Sequence, residues 1–296
     1  IRFTVMRPPD RAAVPIRSVG QRMRNRHRHG MHGAPWAIVF VAVIALAFLL
    51  IPLAGLLAAT PWSRLFDLLA SDVTLQALRL SLITSVAATV IAAVLGVPLA
   101  WMLARIEFPG RAVVRALVLL PLVLPPVVGG TALLTALGRR GIIGAPLESL
   151  TGITLPFSTW GVIIAATFVA MPFFVLTVEG ALRGMDRRFE DAAVTLGASR
   201  LMVLRRVTLP LIAPGLIAGA LLAWARALGE FGATITFAGN FPGRTQTMPL
   251  AIYTLLETDR DAALALSVVL LAICVTVLLI LRDQWLRPGA AGTRRP

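Results

Sequence analysis

Six long apolar segments constrain this chain more than any other feature, because each could form a helix that crosses the hydrocarbon core of a bilayer. Each is rich in Leu, Ala, Val and Ile without strict alternation, which favours helices over the strands of a barrel. The composition agrees, with 57% hydrophobic residues and a mean hydropathy of +0.84. We therefore predict an all-α integral membrane protein with six transmembrane helices. The predicted spans are approximately residues 36–59, 75–104, 112–137, 159–182, 211–238 and 262–281.

These spans define a transmembrane domain, residues 36–285, and two tails, residues 1–35 and 286–296. The first tail is rich in arginine and has little apolar patterning, which predicts disorder or contact with anionic lipid. An over-extended gene start, with Met23 or Met31 as the true first residue, explains the tail equally well.

Arginine indicates the orientation, because all 28 basic residues are Arg and they are unevenly distributed. Eight lie in residues 1–35, three in 105–115, six in 183–206 and four from Arg282 onward. The alternate connections hold only five. Since cytoplasmic loops carry the excess of basic residues, we expect a multi-pass protein of the cell membrane with both termini in the cytoplasm. The loop of residues 183–206 is then cytoplasmic as well.

The sequence lacks the residues that several kinds of catalytic and nucleotide-binding site require. The sequence contains no Lys, so it cannot supply the P-loop lysine that binds nucleotide phosphates, and it lacks H-E-x-x-H and G-x-S-x-G. Its three histidines, His27, His29 and His32, form either a metal site or part of a solvated basic tail. The interpretation as a solvated tail is favoured because no carboxylate or Cys accompanies the histidines. We expect no catalytic residue, no metal site, no cofactor bound to this chain and no nucleic-acid partner.

The pattern of residues 186–207 predicts a helical segment in the loop between spans four and five. Asp186 is a suitable N-cap, and Glu190 and Asp191 lie in the first turn, where the helix dipole favours carboxylates. Gly197 is expected to end this helix.

A second short helix is expected to begin at Ser199 and to run through Val207, with Pro210 opening the fifth span. The first helix has one apolar face. That face consists of Phe189, Ala192 or Ala193, and Leu196. A short exposed amphipathic helix either docks in the groove of a partner protein or lies on the lipid surface. The neighbouring arginines favour lipid, whereas the acidic pair disfavours an anionic leaflet.

The segment resembles the cytoplasmic loop of permease subunits of ATP-binding-cassette importers, whose signature is E-A-A-x3-G-x9-I-x-L-P. The matching residues are Asp191, Ala192, Ala193, Gly197, Val207, Leu209 and Pro210. Asp replaces Glu and Val replaces Ile. The resemblance implies a coupling helix seated in a cleft of a separate ATPase subunit, which would carry ATP and Mg. The residues assigned to this contact are Phe189, Glu190, Asp191, Ala192, Ala193, Leu196, Gly197, Leu209 and Pro210.

Residues 226–253 narrow the resemblance to the molybdate permease branch. The matching residues are Gly229 to Ala233, Ala238 to Asn240, Gly243, Thr245, Thr247 and Met248 to Tyr253. The resemblance implies that an external oxyanion-binding protein delivers molybdate or tungstate to a pair of permease copies, expected to be a homodimer. A sulfate or thiosulfate importer of the same architecture is the alternative. A secondary anion carrier is less well supported, because no clear inverted repeat is present.

One pair of charges lies inside the fifth predicted span. Arg226 and Glu230 are four residues apart and so share a helix face. Either Arg226 helps an anion past the bilayer midplane, or the two residues form a structural ion pair. Together with Gly229 and Gly232 they are the candidate residues of the translocation pathway. Glu179, near a span end, is expected to snorkel and has no assigned role.

The third span contains Pro121, Pro125 and Pro126. Prolines remove helix hydrogen bonds, so this span is expected to be kinked or broken, either for movement or for tight fixed packing.

The connection of residues 239–261 is expected to be an external loop. It serves either as a surface for the binding protein or as an ordinary solvated loop. The candidate contact residues are Asn240, Arg244, Thr245, Gln246 and Thr247.

Overall fold

The computed structural model describes residues 36–285, so the two predicted tails and the three histidines lie outside the described part. Within residues 36–285 the regular structure is helical, and the predicted all-α class is confirmed. The α-helices are α1 (Trp36–Ala59), α2 (Leu65–Leu69), α3 (Asp72–Arg105), α4 (Arg111–Val123), α5 (Pro126–Leu137), α6 (Gly144–Thr151), α7 (Thr159–Gly184), α8 (Arg188–Thr195), α9 (Arg200–Val203), α10 (Leu209–Leu211), α11 (Ala213–Leu228), α12 (Gly232–Ala238), α13 (Met248–Thr258) and α14 (Arg260–Trp285). A 3-10 turn, Trp62–Arg64, precedes α2, and a π-helical turn, Leu204–Thr208, links α9 to α10.

Helix α1 is apolar along its whole length and contains Pro52. The described residues up to Gly55 form one compact unit, and those from Leu56 onward form another. Helices α2 to α14 all belong to the second unit.

Four helices are each long and apolar enough to cross a bilayer: α1 from Ile38, α3, α7, and α14 as far as Ile280. Two further stretches qualify only as bent pairs. Helices α4 and α5 meet at 116°, and Arg200–Leu211 meets α11 at 73°. The described residues therefore contain four continuous spans, or six if each bent pair counts as one.

The break between α4 and α5 lies at the predicted proline cluster. Leu124 and Pro125 both have extended backbones, with ψ of 134° and 132°. Each precedes a proline, and the ring of the following proline disfavours the helical conformation at such a position. Pro126 then starts α5 at its first position, where a missing N–H costs nothing. The expected break in this span is confirmed.

The fifth predicted span, residues 211–238, is wrong as a single helix. The chain bends at Ile212, α11 ends at Leu228, and α12 begins at Gly232. Helix α11 has 16 residues. At 1.5 Å per residue it is about 24 Å long, shorter than the hydrocarbon core of about 30 Å. The residues around Ile212 are apolar, and the spacing of Arg226 and Glu230 fits one continuous helix, so the sequence pattern located neither interruption.

Helix α7 is the centre of the second unit and packs along α3 and α11. Small side chains allow this close approach: Ala88, Ala170 and Ala223, one from each helix, are completely buried. At Gly96 of α3, an added Cβ would lie 2.7 Å from Cδ1 of Phe174. A glycine also allows α5 to pack closely on α12, where Gly130 lies against the backbone of the neighbouring helix.

We predict that Gly130→Ala destabilises the protein by about 1–3 kcal/mol, as expected for overpacking. The new Cβ would lie 2.8 Å from the Ala233 carbonyl oxygen, and backbone cannot move aside as a side chain can. Thermal unfolding of the purified chain in detergent measures the effect.

Gly180→Ala is the matched control, because a Cβ at Gly180 in α7 would meet no atom within 4 Å. This variant should gain about 0.5–1 kcal/mol from helix propensity. A Gly130→Ala protein as stable as Gly180→Ala would contradict the proposed contact.

Candidate functional site

The segment of residues 186–210 forms the predicted helix–turn–helix at one end of the second unit. Asp186 Oδ1 accepts a hydrogen bond of 2.9 Å from the Arg188 N–H, where α8 begins. Gly197 ends the turn after α8 with φ of +86°, a left-handed conformation that favours glycine. Ser199 Oγ accepts from the Met202 N–H at 3.3 Å and caps α9. The predictions for Gly197 and Ser199 are confirmed, whereas the N-cap of α8 is Arg187 and Asp186 lies one residue before it.

The second helix does not end at Val207 as expected. It continues from α9 through the π-helical turn into α10, as far as Leu211. Pro210 lies in the first turn of α10 and does not open the membrane span. A π-helical turn with i→i+5 hydrogen bonds lies directly before Pro210, so the helical backbone reaches the proline with the regular i→i−4 pattern, to which proline cannot donate, already interrupted. The bend comes two residues later, at Ile212.

Glu190 points into the protein rather than away from it. Its Oε2 lies 3.0 Å from Nε of Arg105, at the end of α3, and its Oε1 accepts a hydrogen bond of 2.6 Å from Thr208. The side chains of Arg105 and Glu190 are 8% and 16% exposed. A second link joins the same two regions, because Arg187 donates to the Ala104 carbonyl at 3.3 Å. Helix α8 is therefore fastened both to α3 and to the π-helical turn.

The other side of the segment is exposed. Phe189 is 56% exposed and Leu196 is 88% exposed, and Asp191 and Ala192 beside them are also exposed. Ala193 is half-buried. Of the two remaining expected contact residues, Leu209 packs against the main core and Pro210 is exposed. The segment thus has an anchored side and a free side, a division that its amphipathic pattern does not reveal.

Glu179 is buried, so the expectation that it snorkels at a span end is wrong. It is 4% exposed and pairs with Arg115 of α4 and, at 2.8 Å, with Arg183. Its location near the end of α7 suggested exposure, but α4 covers it. The one sequence signal was the spacing of four residues between Glu179 and Arg183. Arg105 also escaped notice, since its partner is far away in the sequence.

The pair inside the fifth predicted span is formed. Arg226 Nη2 lies 2.7 Å from Oε2 of Glu230, whose side chain is 2% exposed. Glu230 Oε1 also accepts a hydrogen bond of 2.7 Å from the Ala233 N–H in the first turn of α12. Gly232 packs closely on α5, since an added Cβ would lie 2.6 Å from Cβ of Pro126. Gly229 is exposed. The contacts give Glu230 a structural function, and the role of these four residues in a pathway stays a prediction.

At the opposite end of the second unit, the expected external loop is largely folded inward. Thr245, Gln246 and Thr247 are only 0%, 6% and 5% exposed, so their expected location on the surface is wrong. The reason is a tight turn in which the Phe241 carbonyl accepts three backbone N–H groups, at 2.9–3.1 Å. Those N–H groups belong to Arg244, Thr245 and Gln246.

Two of the five expected contact residues remain accessible at this end. Arg244 is exposed. Asn240 is half-buried and donates to Thr254 Oγ1 at 3.0 Å. Within residues 36–285 no group of three or more His, Cys, Asp or Glu side chains is close enough to hold a metal ion.

The chain is similar to known transport proteins. The family described as "binding-protein-dependent transport system inner membrane component" matches residues 96–289. The molybdenum transport system permease protein ModB of Mycobacterium tuberculosis is 47% identical over 247 residues, which cover 83% of this chain and 92% of the relative. The sulfate transport system permease protein CysT of Salmonella typhimurium is 36% identical over 246 residues, covering 82% and 87%.

A solved structure shows the same fold. A bacterial ABC transporter involved in the import of the acidic polysaccharide alginate has a chain that aligns with a TM-score of 0.67 at 19% identity, covering 86% of this chain and 96% of that one.

We predict that Thr208→Val loosens α8. The change keeps the shape of the side chain and removes the donor to Glu190 Oε1, a hydrogen bond to a charged group. The loss of about 1.5 kcal/mol corresponds to roughly tenfold faster amide exchange in residues 188–196. Hydrogen–deuterium exchange of the detergent-solubilised chain measures it.

Thr195→Val is the control, since the Thr195 hydroxyl donates only to the Asp191 carbonyl within α8 itself. Equal exchange rates in the two variants would show that Thr208 does not anchor the helix.

Proposed function

Because the chain belongs to the family of binding-protein-dependent transport system inner membrane components, we propose that it is the membrane subunit of an ATP-driven oxyanion importer. Its cargo is molybdate or tungstate. A separate ATPase subunit binds ATP and Mg, so this chain is a transporter subunit and not an enzyme. The 186–207 segment faces the cytoplasm and couples the two subunits.

One observation carries the coupling function, namely the division of α8 into an anchored side and a free side. Phe189 and Leu196 offer apolar surface that a groove on the ATPase can bury. Asp191 is exposed beside them, and a carboxylate there disfavours contact with an anionic leaflet. A protein groove therefore suits this surface better than lipid does.

The anchored side explains how movement would reach the membrane spans. When ATP closes the ATPase dimer, α8 is displaced with it, which shifts the population of transporter conformations. Glu190 passes the displacement to α3 through Arg105, and to the π-helical turn before α11 through Thr208. A loose loop could not transmit force in this way, because it would deform before the spans moved.

The cargo is inferred from the relatives. The Mycobacterium tuberculosis relative is named a molybdenum transport permease, and the similarity covers 92% of its length. The sulfate permease of Salmonella typhimurium is less similar, at 36% identity, and makes sulfate or thiosulfate the alternative cargo. An external binding protein delivers the anion, and a second copy of this chain completes the pathway. Both termini lie in the cytoplasm.

We predict that Leu196→Asp abolishes co-purification of the ATPase subunit. The change places a carboxylate on the apolar docking surface, at the C-terminal end of α8. Leu150→Asp, in α6 at the opposite end, is the matched control because Leu150 is 84% exposed and Leu196 is 88% exposed. Leu150→Asp should retain the ATPase. Loss of the ATPase from both variants, or from neither, would argue against the proposed contact.

The second experiment measures ATP hydrolysis by the complete transporter in proteoliposomes. The binding protein is added empty, and then loaded in turn with molybdate, tungstate or sulfate. We expect molybdate or tungstate to stimulate hydrolysis several-fold and sulfate to have no effect. Stimulation by sulfate alone would change the cargo and leave the coupling mechanism intact. Anion uptake that requires an ion gradient and no ATP would instead establish a secondary carrier.

A further inference from the structure

A cavity of about 680 Å³ opens at the end of the second unit opposite the 186–210 segment. It lies between the turn after α5, the connection before α7 and the turn that contains Arg244. Three arginines line it, and no Asp or Glu is among its lining residues. We call this cavity, with Arg139, Arg140 and Arg244, the arginine cup.

The positive charge of the cup is only partly compensated. Nε of Arg139 lies 3.6 Å from a Glu148 carboxylate oxygen; the Arg139 side chain is exposed and that of Glu148 is half-buried. Arg140 and Arg244 have no carboxylate within 4.0 Å among residues 38–280, whose side chains the structure describes. A concave surface lined by charges of one sign raises the local concentration of ions of the opposite sign. The cup therefore attracts anions.

Backbone hydrogen bonds hold the arginines in place on two separate turns. In the first turn, the Gly141 N–H donates to the Gly138 carbonyl at 2.8 Å, so Arg139 and Arg140 lie at its tip. In the second, the Arg244 N–H donates to the Phe241 carbonyl at 3.1 Å.

A side chain adds a further restraint to the second turn. The Thr159 hydroxyl donates to the Arg244 carbonyl at 2.9 Å. The backbones of both turns are therefore held in place, and the fold brings arginines about a hundred residues apart in the sequence to the lining of one cavity.

The chemistry of the lining indicates which anion fits. A planar guanidinium donates two parallel hydrogen bonds to a pair of oxygens, which suits an oxyanion better than a halide. The hydroxyls of Thr131 and Thr135 already donate to backbone carbonyls of α5, so the arginines carry the recognition. Two uncompensated arginines match the charge of a divalent anion.

We propose that the arginine cup binds a tetrahedral divalent oxyanion at the mouth of the transporter, before the anion enters the membrane. The cup is much larger than one such anion, so the ion keeps part of its water and binds weakly. Weak binding suits a site from which the anion must move on. The placement at an entrance rests on the proposed function, whereas the binding itself rests on the arginines alone.

Protection from an arginine reagent tests the binding. The purified full-length chain, in detergent without added phospholipid, is treated with phenylglyoxal, and peptide masses report the modification of each arginine. Molybdate, tungstate or sulfate is compared with chloride and nitrate at equal ionic strength. We expect the three divalent anions to slow modification of Arg140 and Arg244 and to leave Arg64 unaffected. Arg64 is exposed and 3.4 Å from Asp261.

A variant distinguishes one binding site shared by Arg140 and Arg244 from general electrostatic screening by the added salt. In Arg140→Gln, the molybdate concentration that half-protects Arg244 should rise roughly three- to tenfold, as one charged contact is lost. Arg64→Gln removes the same charge elsewhere and should leave that concentration unchanged. Equal protection by nitrate, protection of Arg64 as well, or equal shifts in the two variants would overturn the proposal. Protection by phosphatidylglycerol micelles without protection by free anions would also overturn it.

The result is independent of the proposed function, because neither the ATPase nor the binding protein is present. A transporter whose ATP hydrolysis ignores every loaded binding protein, yet whose cup is protected by divalent anions, would lose its assigned function and keep its anion site. Stimulated hydrolysis with an unprotected cup would support the proposed function and overturn the anion site.

Discussion

In a bilayer every backbone N–H and C=O must find its hydrogen-bond partner within the protein, and this constraint governs where the helices of this chain can break. Two of the breaks inside predicted spans, at Pro125 and after Leu228, are closed by specific groups. Pro125 and Pro126 have no N–H to leave unpaired, and the Pro125 carbonyl accepts from the Val128 N–H at 2.9 Å. At the second break, the buried Glu230 carboxylate accepts from the Ala233 N–H. Since Gly232 packs on Pro126, the two breaks also shield each other.

Local signals in the sequence predicted much of the fold. Apolar length located the four continuous spans, the prolines located the first break, and Gly197 and Ser199 marked helix ends. Each of these signals acts within a few residues of itself. The break after Leu228 was not predicted although its contacts are also local, because the spacing of Arg226 and Glu230 fits one continuous helix and does not indicate the bond from the Ala233 N–H to Glu230.

The candidate site was harder to predict, because its side chains are positioned by distant elements. Glu190 and Asp191 are adjacent acids that the sequence treats alike, yet one is tied to Arg105 and the other is exposed. Thr245, Gln246 and Thr247 are polar, and polarity suggested a surface. Their burial depends on one carbonyl, that of Phe241, which satisfies the backbone of the turn. Such contacts join residues that no periodic pattern connects.

The arginines of the alternate connections also show that the number of charges in a connection does not predict where the fold places them. Summed by connection, Arg64, Arg139, Arg140, Arg244 and Arg260 are the small remainder on the side that the positive-inside rule assigns to the exterior. The rule gives that remainder no meaning, since it depends only on how many basic residues each connection holds. In space, three of the five surround one cavity, and two of those three have no ion-pair partner among the side chains of residues 38–280. An anion approaching from that side would first meet these few arginines, which are dispersed along the chain but gathered by the fold around one cavity.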